Sequence, residues 1–131
     1  MTDHTPDDYI KYRLQKAKET LAEVEIHISN QFWNTAINRM YYAAFYAVNA
    51  LLVKNKIEVN SHTGVRQKFG QHYVKTGLFN KQLAKHYTDL FEKRHKSDYN
   101  DFFDYDEETT KRLLPLTKEF IQNIEQLIDN K

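Results

Sequence analysis

Between Trp33 and Leu52 the apolar residues fall so that they cover most of the circumference of a helix: Trp33, Ala36, Ile37, Met40, Tyr41, Ala43, Ala44, Ala47, Val48, Leu51 and Leu52. Such a helix has no face to give to water. It belongs in the middle of a bundle or at a subunit interface, so the rest of the chain must supply helices to surround it. Ala43, Ala44 and Ala47 are small enough for a neighbour to approach closely. With three glycines and two prolines in 131 residues, few positions remain for hairpin turns or a phosphate-cradling loop.

The surrounding segments carry one-sided stripes. From Asp7 to Ser29, residues Ile10, Leu14, Ala17, Leu21, Val24 and Ile28 alternate in steps of four and three, the signature of an amphipathic helix starting at Asp7 or Asp8 after Pro6. The apolar helix then runs from about Gln31 to Lys54. Ser61 is the N-cap of a third helix holding Val65, Phe69, Tyr73 and Val74 and ending at Gly77. Asn80 opens a fourth, Lys81 to Lys96. Residues 98 to 106 are acidic and aromatic without a helical period, and read as an ordered loop whose rings pack down. The last helix, Glu107 to Ile128, carries Leu113, Leu116, Phe120, Ile124 and Leu127, with a kink expected at Pro115. The expected fold is an all-α, up-and-down helical bundle of four long helices plus one short one, a single domain over 1–131 with its core at about 7–129.

Composition removes several functions. There is no cysteine, which excludes disulfides, thiol catalysis and cysteine-held metal. The 19 basic and 18 acidic residues leave a net charge of +1, unlike a dedicated electrostatic nucleic-acid binder. Six histidines show no metal-ligand spacing, and neither G-x-x-x-x-G-K nor G-x-G-x-x-G occurs, so no metal or cofactor is expected. The polar, acidic N-terminus is not a secretory signal. The stretch Tyr41 to Val53 is too short to span a bilayer, so a soluble, cytoplasmic protein without membrane association is expected.

Two arginines interrupt apolar faces. Arg94 and Asp98 are one turn apart on a face that continues Leu83, Tyr87 and Leu90, and an ion pair there braces the helix end or presents a planar cation to phosphate. Arg39, in the run Arg39-Met-Tyr-Tyr42, needs a polar groove or a carboxylate such as Asp98. The aromatic excess near Tyr41, Tyr46, Phe102 and Phe103 points to an interface between two copies.

Four runs then occur in order: Arg39-Met-Tyr-Tyr-Ala-Ala-Phe-Tyr-Ala, Ser61-His62-Thr-Gly-Val65, Phe69-Gly-Gln-His-Tyr-Val-Lys-Thr-Gly77 and Arg94-His95-Lys-Ser-Asp98-Tyr99. Together they resemble the HEPN domain family, in its small stand-alone bacterial and archaeal branch with an R-x-x-x-D-Y signature. The resemblance implies a helical bundle that pairs as a symmetric homodimer. It also implies a minimal nucleotidyltransferase as partner in a toxin–antitoxin-like system. Active members are metal-independent RNases using R-x(4–6)-H, in which histidine handles the 2′-hydroxyl proton and arginine stabilises the phosphorane.

This sequence departs from that motif. The positions where histidine belongs after Arg94 are Tyr99, Asn100 and Asp101. His95 points about 100° away from Arg94 on a helix, and Arg66…His72 fits the spacing at another place in the chain. The sequence therefore favours a dimeric RNA-, nucleotide- or partner-binding protein with a groove of Arg39, Tyr42, His62, Arg94, Asp98 and Tyr99. Its rivals are a divergent RNase built on Arg94 with His95 or Tyr99, and a purely structural interaction module.

Overall fold

The computed structural model describes residues 5–100 and 104–129, which contain helices and, among these residues, no strand. The helices are α1 (Pro6–Ser29), α2 (Trp33–Lys54), α3 (His62–Phe69), α4 (Lys81–Tyr99) and α5 (Glu107–Asp129), with a π-helical segment, Gly70–Val74, continuing α3.

Helix α1 starts one residue earlier than the sequence pattern placed it. Thr5 is the N-cap, its hydroxyl accepting from the Asp8 N–H at 3.2 Å while the Asp8 carboxylate accepts from the Thr5 N–H at 3.0 Å. That reciprocal pair satisfies two of the free amides of the first turn, and Pro6 at the first helical position loses nothing by lacking its own. The chain reverses through Gln31, whose φ of 62° lies in the left-handed region, and enters α2.

Helix α2 is the centre of the molecule. Ala36, Ala43, Ala44, Ala47 and Ala50 are fully buried, and α1, α3, α4 and α5 all pack against this helix. Alanine at these positions lets the surrounding backbones come near, while Ile37, Met40, Tyr41 and Val48 fill the space between them.

Helix α5 lies one position away from the expected register. Leu113, Phe120 and Ile124 face inward, but Leu116 is 36% exposed and Thr117 is buried in its place. Thr117 can be buried because its hydroxyl donates to the Leu113 carbonyl at 2.9 Å and meets His86 Nε2 of α4 at 2.8 Å. The hydroxyl has one proton, already given to the carbonyl, so His86 must donate from Nε2 and is the neutral tautomer. Pro115 lies inside α5 on the solvent side, where water can reach the carbonyl its ring leaves without a helical donor.

Two other boundaries differ from the sequence expectation. The third helix changes at Gly70 to π geometry, closed by the Lys75 N–H on the Gly70 carbonyl at 2.9 Å. This sets the Tyr73 hydroxyl against Asn55 at the end of α2, and Gly77 (φ 82°) then turns the chain so that Phe79 re-enters the core. Helix α4 continues to Tyr99 rather than stopping at Lys96, so the expected loop begins later. Of that loop, Tyr105 packs on the core, its hydroxyl donating to the Lys93 carbonyl at 3.1 Å. Phe102 and Phe103, on which part of the dimer expectation rested, lie outside the described residues.

Candidate functional site

The site begins with the three consecutive turns of α2 that carry Arg39, Tyr41, Tyr42 and Phe45, against which α4 lays Phe91 and Arg94. The Arg94 side chain is 12% exposed. Its Cζ lies 4.7 Å from the centre of the Tyr41 ring, 5.7 Å from Tyr42 and 5.8 Å from Phe91. Nη1 donates to the Tyr42 hydroxyl at a long 3.4 Å and stands 3.7 Å from Asp98 Oδ2. Nε is buried and has no hydrogen-bond partner among the described residues. Arg39 approaches the same Tyr42 ring, with Cζ at 4.9 Å. Its donors go to the neighbouring Asn38 side chain, at 2.9 and 3.2 Å, and not to Asp98. Two cations thus share one tyrosine, with a single, distant carboxylate beside them.

The loop before α3 closes the other side. Ser61 caps α3 by accepting from the Gly64 N–H at 2.9 Å, which places His62 at the first helical position. A side chain at Gly64 would bring its Cβ to 2.9 Å from the Ser61 hydroxyl, so the glycine keeps the cap in place. The His62 ring stacks on Phe45 at 4.4 Å, and its Nδ1 is 2.8 Å from the Tyr41 hydroxyl. Burial, and secondarily the Arg94 charge, lower the His62 pKa from 6.5. Burial pushes the Tyr41 phenol up to about 12, so it keeps its proton. A neutral His62 with its proton on Nε2 accepts the Tyr41 hydroxyl at Nδ1, and that bond holds the imidazole beside Arg94 and Tyr42.

Arg39, Tyr42, His62, Arg94 and Asp98 therefore gather on one face. Tyr99 and His95 do not join them: the two rings pair with each other, 4.6 Å apart, on the exposed side of α4. Three contributors were missed by sequence reasoning. Tyr41 holds both Arg94 and His62, Phe45 carries the imidazole, and Phe91 lies under Arg94 and also under Arg66, whose Cζ is 4.4 Å from its ring. Their spacing was visible, since Tyr41 and Phe45 are i, i+4 and Phe91 and Arg94 are i, i+3, but the same spacing describes ordinary core.

Chemically this is a face of planar cations set among aromatic rings. Guanidinium forks match phosphate oxygens, and tyrosine and imidazole faces stack on planar groups. Among the described residues no three histidine, cysteine or carboxylate side chains converge as a metal site, and no helix is long and apolar enough to cross a membrane.

An all-helical bundle with a buried central helix and an arginine–tyrosine face defines a class of small helical domains. The chain belongs to the HEPN domain family, whose sequence profile matches residues 10–127. A UPF0332 protein of Thermotoga maritima is 36% identical over 121 residues, 92% of each chain. MJ0142 of Methanocaldococcus jannaschii, named as a candidate toxin, is 26% identical over 118 residues, 90% of this chain and 80% of that one. The crystal structure of ST0689, an archaeal HEPN homologue, has the same fold at a TM-score of 0.71 and 17% identity, covering 92% of this chain and 98% of that chain.

Proposed function

We propose that this protein is a single HEPN domain acting in the cytoplasm as the homodimeric, RNA- or nucleotide-binding half of a toxin–antitoxin-like pair, with a small nucleotidyltransferase as its partner. The toxin name carried by the M. jannaschii relative supports the two-protein setting. The observation that carries the binding role is Arg94: an almost buried guanidinium with an unpartnered Nε, beside Arg39, with Asp98 no nearer than 3.7 Å. A purely structural arginine would be closed by carboxylates or carbonyls, because an unmatched buried donor costs about 1–3 kcal/mol. A phosphate oxygen supplies the missing acceptor. Binding without cleavage is the reading favoured by the side chains present, since His95 stacks on Tyr99 away from Arg94.

The test is fluorescence anisotropy with a labelled single-stranded RNA, alongside light scattering. We expect a particle of twice 15.7 kDa, RNA binding that Arg94→Gln abolishes with little change in melting temperature, and only partial retention by Arg94→Lys, which keeps the charge but not the planar fork. Binding that survives Arg94→Gln while the melting temperature falls would make the cluster structural and overturn the proposal.

A further inference from the structure

A second basic site lies behind the first. Between the π-helical segment and α4 is a cavity of 620 Å³ bordered by Arg66, Gly70, Lys75, Lys81, Lys85 and Tyr87. No aspartate or glutamate lines it. None of its four cations makes an ion pair among the described residues, although Lys18, Lys93, Arg94, Lys111 and Lys118 elsewhere in the chain do. Four lysine and arginine groups around one hollow repel each other unless an anion enters. Their gathering is therefore not the alternation of charges that keeps an ordinary helix surface soluble.

Two buried polar atoms strengthen the point. Arg66 Nε and the Tyr87 hydroxyl are both buried without a hydrogen-bond partner among the described residues, and both belong to side chains on the cavity wall. The wall also has an apolar part, Val74 and Ala84, facing the charged rim. The π geometry contributes room: a Cβ added at Gly70 meets nothing within 4 Å, so backbone without a side chain forms part of the lining. π-Helical insertions of this kind occur frequently at functional sites. The volume falls within the range of small-molecule pockets, about 300–1,000 Å³.

The geometry points to this cavity as a binding site for a small organic molecule bearing two or three phosphates, separate from the Arg94 face. The lysines and Arg66 take the phosphates, and the Val74 and Ala84 wall takes the apolar remainder. Tyr87, on the cavity wall, stacks on Tyr41 of the other site at 5.8 Å, so the two sites stand back to back across one pair of rings.

Gly70 gives a clean test. Its φ of −59° suits any residue, so Gly70→Leu fills the cavity without strain and improves helix propensity. Calorimetric titration with inorganic tripolyphosphate and with adenosine 5′-triphosphate should show both binding, the second more tightly because it also covers the apolar wall. Gly70→Leu should weaken the second at least about tenfold with an unchanged or raised melting temperature, and Lys75→Gln with Lys81→Gln should weaken both. Arg94→Gln should leave both titrations as they were, which separates this site from the RNA-binding face. No binding of either probe by about 1 mM, binding indifferent to Gly70→Leu, or binding lost in Arg94→Gln instead, would overturn the proposal.

Discussion

The Arg94 guanidinium lies 4.7 Å from the centre of the Tyr41 ring, and this contact, rather than the 3.7 Å approach to Asp98, fixes where Arg94 points. Tyr41 is fully buried, so the cation–π contact is largely desolvated and worth up to about 2 kcal/mol. Asp98 is 38% exposed, and an ion pair of that length in solvent contributes under about 1 kcal/mol. Asp98→Asn should therefore change stability by less than about 0.5 kcal/mol in urea unfolding and leave RNA affinity equal or tighter, since it removes the one carboxylate beside the cations. A loss of stability several times larger would mean that Asp98, and not Tyr41, positions the arginine.

His62 should titrate below the ordinary imidazole range, because it is buried against Phe45 and Tyr41 and lies near the Arg94 charge. Removing that charge in Arg94→Gln should raise the His62 pKa toward 6.5 without restoring it fully, since burial is the larger cause. The imidazole resonances followed by NMR across pH decide this. A His62 pKa unmoved by Arg94→Gln would place the two groups in separate electrostatic environments. Tyr41→Phe, which removes the hydroxyl bonded to Nδ1, should cost about 0.5–1.5 kcal/mol.

The fold was legible in the sequence because its decisive signals were local and redundant. The all-round apolarity of Ala36 to Leu52 could only be a central helix, and Ser61 and Asn80 are the caps their residue types announced. What escaped were choices made by tertiary contact. Thr117 displaced Leu116 from the core because His86, 31 residues away, offered it a hydrogen bond, and no periodicity records that. The π segment at Gly70 was likewise invisible, since it depends on where Tyr73 meets Asn55 at the end of α2. At the candidate site, Arg39, Arg94 and His62 stood out as polar residues in apolar surroundings. Tyr41, Phe45 and Phe91 did not, because an aromatic that holds a cation and one that fills a core look alike in sequence.

The pair His86–Thr117 makes stability pH-dependent. Burial pushes the His86 imidazole down from 6.5 to about 4. In the unfolded chain it takes up a proton at the ordinary value, while the folded chain refuses it until about pH 4. Stability from this group is therefore complete above about 6.5 and is lost on acidification through the window down to about 4, on the order of 3 kcal/mol in all. Unfolding free energies at pH 7 and pH 5 should differ in the wild type and differ much less in His86→Gln, even though that variant is less stable at both. An equal pH dependence in the two proteins would show that another group carries it.

The central claim is that Arg39 and Arg94 neutralise phosphates of a single-stranded RNA. Each neutralised phosphate contributes about 0.7 to the slope of log affinity against log salt concentration for a single strand. The direct measurement is that slope, between low and physiological salt, for the wild type, Arg39→Gln, Arg94→Gln and the double variant, each with its melting temperature recorded. The result expected is a slope that falls by roughly 0.7 for each arginine removed and by their sum in the double variant, with the fold intact. A wild-type slope that neither substitution reduces, in proteins that remain folded, would contradict the account.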